Sequence, residues 1–453
     1  MPVMAPLLVK GQTSRARIWS DRLRKLNQPT KSRVVLGLVG GLLSAAALHA
    51  QVAQAPGSSP GTTPEAPPAT VSAPAAPDYF FPDLAAGSLV HDGERFWIKP
   101  IIAIVTDYTW FSQDDASLTQ VGEQEDASDL RAARFGLIVK SKARREWTFT
   151  LTADYQEKRT RDEATWQFYD VKVDIPIGPV KLTLGKQKEP FSFEMVGLFP
   201  TLPQQERILS PFYVTRNTGV QVMGHLAGDR MTWAAGAFND WLETDHSLSR
   251  NASNFAARIT GLATVSPDNH DYLHLGLGLR HAGSDDGMMR FSGRPESHVA
   301  DKYVDTGSFP ADHAAQLSLE AVWQRGPFLL HAEHIDAWVD APESGDPHFT
   351  GDYVTAAWVV TGESRPYVRS LGYAGAIKPT GRLGAVELVV RYTHLGFNNG
   401  GIEGGVLDRW GLGVNLWAST QWKIGISYGD ADLDKYGTRG DTRMLLVRLL
   451  WMY

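Results

Sequence analysis

A chain of 453 residues with 14 Trp, 43 Gly and no Cys has room for two or three ordinary domains or one large β architecture. The missing cysteines exclude a cystine-stapled scaffold, a thiolate zinc site and an acylated lipoprotein cysteine. A formal charge of −6 leaves no basic footprint for nucleic acid.

The first 33 residues carry Lys10, Arg15, Arg17, Arg22, Arg24, Lys25, Lys31 and Arg33 against the single acid Asp21. An apolar stretch from Val34 to Leu48 follows, then small residues up to Ala55. A basic lead, an apolar run and small residues spell an export signal, residues 1–50, cut after Ala50 or Ala53. An uncleaved anchor fits less well, since a spanning helix needs roughly 20 apolar residues. Removing residues 1–50 takes eight of 44 bases and one of 50 acids, leaving 36 against 49 and a net charge of −13.

Residues 51–79 contain "APGSSPGTTPEAPPATVSAPAAP". Pro, Ala, Ser and Thr at this density cannot bury a core, so the segment is expected to be a disordered tether. No second linker of this kind follows, and residues 80–453 are expected to form one domain.

Within that domain the dominant period is two. In "EWTFTLTADYQ" Trp147, Phe149, Leu151, Ala153 and Tyr155 share a face opposite Thr148, Thr150, Thr152 and Asp154. "AVELVVRYTHL" and "QWKIGISYGD" alternate likewise. Each spells a half-buried strand. The pattern predicts strands near 96–111, 130–141, 146–156, 165–175, 179–188, 218–227, 230–239, 254–263, 272–282, 314–324, 327–337, 351–361, 383–395, 408–418, 421–430 and 442–453. Short connections such as "KARRE" alternate with long ones such as "SGRPESHVADKYVDTGSFPADH", the habit of an up-and-down barrel in an outer membrane.

A soluble sandwich also alternates, so three further features decide. Aromatics cluster near strand ends on the apolar faces, as interfacial girdles require. The opposite faces carry Glu, Arg, Lys, Asp, Thr and Gly, which suit a wet lumen. Segments of about ten residues match the length that a tilted strand needs to cross hydrocarbon. The expected fold is therefore an all-β transmembrane antiparallel barrel of about 16 strands, in the outer membrane of a Gram-negative bacterium. The final strand, "MLLVRLLWMY", would show Leu445, Val447, Leu449, Trp451 and Tyr453 to lipid and pair with the first strand to remove both sheet edges. The opposite face, with Arg448 among Met444, Leu446, Leu450 and Met452, needs a cover: an inward loop or the tether.

Catalytic and metal chemistry have little support. No enzyme activity is expected, and no cofactor is implied. His331 and His334 in "HAEH" lie on a predicted strand with no converging third and fourth ligand.

Several stretches resemble the phosphate-selective porin O and P family. "DLRAARFGLIVKSKARREWTFTLTADY" is similar to its early hairpin. "LTLGKQKEPFSFE" matches a Gly-x-x-Lys-Glu-Pro-Phe-Ser element at Gly185, Lys188, Glu189, Pro190, Phe191 and Ser192. "QQERILSPFYVTRNTGVQVMG" and "GDYVTAAWVVTGESRPY" (Thr361, Gly362, Glu363, Arg365) follow in family order, from about residue 95 to the C-terminus. The resemblance implies a sixteen-stranded barrel that associates as homotrimers and passes phosphate or polyphosphate. It also likens the terminal aromatic to the signature by which the barrel-assembly machinery recognises such strands. Beside the anions, outer-membrane lipids are the expected partners.

Pro190 stops ladder pairing, and residues 190–215 are expected to fold into the barrel as a constricting loop. That brings Lys188, Glu206, Arg207 or Arg216 toward the permeation path, unless Glu206 and Arg207 merely pair with each other. On the polar strand faces Arg134, Lys140, Lys186, Arg258, Arg280, Arg391 and Arg448 are candidates to line the path, together with Glu387. Alternatively each cation is balanced by an acid such as Glu320, Glu333 or Glu387. Two other functions stay open: a general or weakly cation-selective porin, and an outer-membrane or periplasmic β protein that binds without conducting.

Overall fold

The computed structural model describes residues 89–142, 146–156, 165–198, 201–239 and 253–453. The expected export signal and tether lie outside these residues. Sixteen long strands follow one another in up-and-down order. They are β1 (Phe96–Gln113), β2 (Ala127–Ser141), β3 (Thr148–Gln156), β4 (Thr165–Ile177), β5 (Val180–Gln187), β6 (Asn217–Leu226), β7 (Met231–Asn239) and β8 (Asn254–Val265). Then come β9 (Tyr272–Gly283), β10 (His313–Arg325), β11 (Phe328–Asp340), β12 (His348–Val359), β13 (Ala385–Asn399), β14 (Ile402–Trp417), β15 (Trp422–Lys435) and β16 (Thr438–Met452).

Every neighbouring pair is antiparallel, and β1 pairs with β16 from Ala103↔Met452 to Gln113↔Thr442. That last pairing closes the sheet, so no long strand among the described residues is left as an open edge, as hydrocarbon demands. Two-residue turns show how tightly some hairpins close. Tyr436 and Gly437 both take positive φ, 56° and 70°, the geometry that matches strand twist in a two-residue hairpin.

Alternation sorts the side chains. On β16 Leu445 and Leu449 are exposed while Met444, Leu446, Arg448, Leu450 and Met452 are buried. Outside, Phe328 stacks on Trp358 with ring centroids 5.9 Å apart, Tyr392 meets Trp410 at 5.0 Å and Trp422 meets Trp451 at 6.2 Å. Leu388, Val390, Leu412, Ile424 and Ile426 stay exposed between these aromatics. Such a belt costs free energy in water and gains it in lipid.

The connections at the β2–β3 end are mostly short: 142–147, 178–179, 227–230, 266–271, 326–327 and 418–421. Those at the other end include 188–216 and 284–312. In outer-membrane barrels short turns are periplasmic and long loops extracellular. The alternation has exceptions. Segment 360–384 is long yet sits at the short-turn end, while 400–401 and 436–437 are short at the long-loop end.

Three of these segments fill much of the lumen. Phe191, Met195, Leu209 and Phe212 from 188–216 pack with Phe291, Tyr303, Val304 and Phe309 from 284–312, against Phe349, Tyr353 and Phe397 of the wall. Phe193 and Leu202 meet Tyr367, Tyr373 and Ala374 of segment 360–384, which enters from the opposite end. The inner face of the last strands is thus covered by the inward loop. Lys423 Nζ donates to the Leu202 carbonyl at 3.0 Å and Asn415 Nδ2 to that of Pro203 at 2.7 Å. Arg448 Nη1 donates to the Gln205 carbonyl.

Glycine makes room for this loop. A Cβ on Gly278 of β9 would lie 2.0 Å from the Phe191 carbonyl oxygen, closer than any relaxed contact. Gly278→Val is expected to displace the loop and leave the barrel closed. Heat-modifiable migration should persist while single-channel conductance rises by about twofold or more.

Candidate functional site

The inward loop begins where β5 stops at Gln187, and its first turn is a short helix, α1 (Phe193–Val196). Its exposed N–H groups need acceptors. Glu333 of β11 supplies them, receiving Phe193 N at 2.9 Å and Glu194 N at 3.0 Å. At the other end Lys188 Nζ donates to the carbonyls of Val196 and Gly197, at 3.0 and 2.9 Å. Arg207 donates to the Glu194 carbonyl at 2.6 Å and to that of Gly197 at 3.0 Å. Glu206 and Arg207 therefore do not pair with each other. Arg207 braces the loop, and Glu206 reaches the wall.

Each acid of this loop meets a wall arginine. Glu189 takes Arg280 of β9. Glu194 takes Arg391 of β13 at 2.8 Å, with Leu209 N at 2.9 Å and Tyr213 Oη at 3.2 Å. Glu206 takes Arg131 of β2 at 2.7 Å and Arg448 of β16, which also holds Asp107 of β1. Against the penalty of burial, Arg131 and Arg448 hold the Glu206 carboxyl well below the usual carboxylate range. Glu296, from 284–312, bridges Arg391 and Arg409 of β14. These pairs sit where an open porin would have water.

Several other wall charges are also matched. Arg134 pairs with Asp154 at 2.6 Å and Arg216 with Asp170 at 2.8 Å. Both guanidiniums lie 4.1 Å from the Tyr169 ring centroid, a stack that fixes their planes. Arg258 meets Glu320 at 2.7 Å and donates to the carbonyls of Leu371 and Gly372 in segment 360–384. Glu387 pairs with Arg365 of that segment at 2.6 Å.

Space remains on the β1–β8 side, a cavity of about 260 Å³. Its cations are Lys140, Lys172, Lys181, Lys188, Arg216 and Arg258, and its acids Glu146, Asp170, Asp174 and Glu189. Of the eleven candidates chosen from sequence, the structure brings Lys140, Lys188, Arg216 and Arg258 to this cavity. It places Arg134, Arg280, Glu387, Arg391 and Arg448 in ion pairs away from it, and Arg207 in the loop brace. Lys186 does not line it. Period two from Lys181 and Thr183 gives it the other face, and it pairs with Val171 and Thr218, out of phase with Lys172 and Asn217.

Lys172 and Lys181 are absent from those candidates although period two puts both on the lumen face. They share one carboxylate, Asp174, at 3.1 and 3.4 Å. Arg365 and Glu296 lie in loops, where no periodicity marks a direction. Lys188, buried among Arg216 and Arg207, has its ammonium pushed well below the ordinary lysine range, chiefly by burial.

His331 and His334 point to opposite faces, as an odd spacing on a strand requires. His331 lies inside against Phe193 and Tyr353. His334 is on the outer wall, bonded to Asp336 at 2.9 Å and to Asp352.

A closed sixteen-stranded barrel whose lumen is narrowed by inward loops is an outer-membrane porin. The family model described as "Phosphate-selective porin O and P" matches residues 105–453, and the chain belongs to that family. Porin O of Pseudomonas aeruginosa is 23% identical over 363 residues, 72% of this chain and 81% of the relative. An uncharacterized protein of Caulobacter vibrioides is 24% identical over 382 residues, 76% of this chain and 75% of the relative. Among solved structures, the anion-selective porin from Comamonas acidovorans superposes with TM-score 0.50 at 11% identity, covering 79% of this chain and 100% of that one. Salmonella typhi OmpF, in complex with daunomycin, gives TM-score 0.52 at 9% identity, covering 80% and 100%. At such identities these likenesses show the fold. Family and fold are those of a channel in the outer membrane, not of an enzyme.

Arg448 joins the first strand, the last strand and the inward loop. Arg448→Met is expected to lower the unfolding free energy by about 3–5 kcal/mol, because it strands the buried Asp107 carboxylate and leaves Glu206 with Arg131 alone. Adding Asp107→Asn should recover part of that loss. Urea unfolding of the purified barrel, followed by tryptophan fluorescence, checks both.

Proposed function

We propose that this porin passes small anions, phosphate or polyphosphate among them, along the basic side of its lumen. The observation that carries the proposal is the charge lining the remaining space. Six cations face four acids there, and three of those acids are already held: Asp170 by Arg216, Asp174 by two lysines and Glu189 by Arg280. Lys140 and Lys188 have no carboxylate partner among the described residues. Local charge at the narrow part of a pore, more than net charge, sets which ion enters.

Lys140, Lys188, Arg216 and Arg258 are the permeation-path residues in this proposal, with Lys172 and Lys181 added. Arg134, Arg280, Arg391 and Arg448 act there as neutralised struts. The active form is a homotrimer in outer-membrane lipid, exported by residues 1–50 and recognised by the barrel-assembly machinery through β16. The net charge of −13 after residue 50 favours a second reading, a general or weakly cation-selective porin.

Reversal potential in a chloride gradient separates the two, since a cation-favouring potential would remove the anion claim. Lys140→Glu is expected to lower the anion-to-cation permeability ratio by about two- to fivefold, with conductance little changed. A pH series tests Lys188. A lysine with a depressed value is charged below that value and loses its proton as pH rises through it. Anion preference should therefore decline at lower pH than ordinary lysines titrate, and Lys188→Met should flatten that decline.

A further inference from the structure

Three of the cavity's six cations form a strip on one sector of its wall, while Lys188, Arg216 and Arg258 stand toward the inward loop and β8. Lys140 on β2, Lys172 on β4 and Lys181 on β5 come from one sector of the wall, and all three line the same space. On one side of that strip stand Trp97 and Ile138, with Trp97 directly across from Lys140 in the β1–β2 register. On the other stand Leu198 of the inward loop, Met223 of β6 and Leu371 of segment 360–384. Charged groups and apolar surface side by side make the lining amphipathic.

Such a lining fits inorganic phosphate poorly. A hydrated inorganic anion gives up water only where donors replace it on every side, and these flanks offer aliphatic and aromatic surface. Small-molecule sites combine mostly apolar walls with a few placed polar groups, which is the arrangement here. We infer that the preferred permeant is an amphiphilic organic anion, a carboxylate on an apolar or aromatic body, whose charge rides the lysine strip while its body lies against Trp97 and Leu371. This inference rests on the anion-porin reading and narrows its substrate class.

The test uses the purified trimer or monomer in a planar bilayer, carrying chloride current, with benzoate, acetate and phosphate added in turn. Benzoate and acetate share one charge and differ in the apolar body. Half-block by benzoate is expected at about tenfold lower concentration than by acetate, the effect of burying part of a phenyl ring. Phosphate should be weaker than benzoate. Met223→Ser with Leu371→Ser should bring benzoate toward acetate and leave the chloride reversal potential unmoved. Equal block by benzoate and acetate, or stronger block by phosphate, would overturn the inference while the anion-porin reading stood. A cation-favouring potential in chloride alone would overturn that reading, and it is measured without any organic anion present.

Discussion

Hydrocarbon offers no hydrogen bonds, and that single constraint organises the whole chain. A sheet can satisfy it only by closing on itself, so β16 must return to β1. Closure turns one face of every strand outward, where only apolar and interfacial aromatic side chains are cheap. Whatever polar chemistry the protein needs is then forced inside. The loops go there too, because the interior is the one place at membrane depth where irregular backbone can be satisfied.

Inside, charge is arranged by pairing rather than by solvation. The acids Glu189, Glu194 and Glu206 of the inward loop, and Glu296 of 284–312, each meet wall arginines. Buried ion pairs contribute little net stability, but breaking one is costly. They consequently fix where the loops lie more than they hold the barrel together. The result is a lumen of two unlike halves: a packed, neutral side from β9 to β16 and an open, basic side from β1 to β8.

Much of this is legible in the order of the amino acids. All sixteen strands fall where period two places them, because one face of each meets lipid and the other does not, so a slip of one residue would be intolerable. The inward loop is legible from Pro190, which cannot continue a ladder. The permeation candidates are harder. Alternation says that Arg280 or Arg391 faces inward, but not that Glu189 or Glu194, distant in sequence, will meet it. Lys186 stands off the cavity because the alternation that turns Lys181 and Thr183 inward puts it on the opposite face, with Leu182 and Leu184. Segment 360–384 has no period at all, and the length of a connection does not reveal that it turns back into the barrel. Hence Arg365, visible in sequence as part of a family-like motif, gives no hint that it binds Glu387 and the Thr201 carbonyl.

One contact joins matters usually treated apart. Arg448 on the last strand holds Asp107 on the first, 341 positions away, and Glu206 in the inward loop, 242 positions away. Those three side chains meet only when the final strand is paired with the first and the loop is tucked beneath them. The join is therefore keyed: a barrel whose loop hangs outside leaves the seam with an unanswered charge. Sealing the wall and setting the bore thus draw on one guanidinium, so a closed barrel is most stable when its hole is already narrowed.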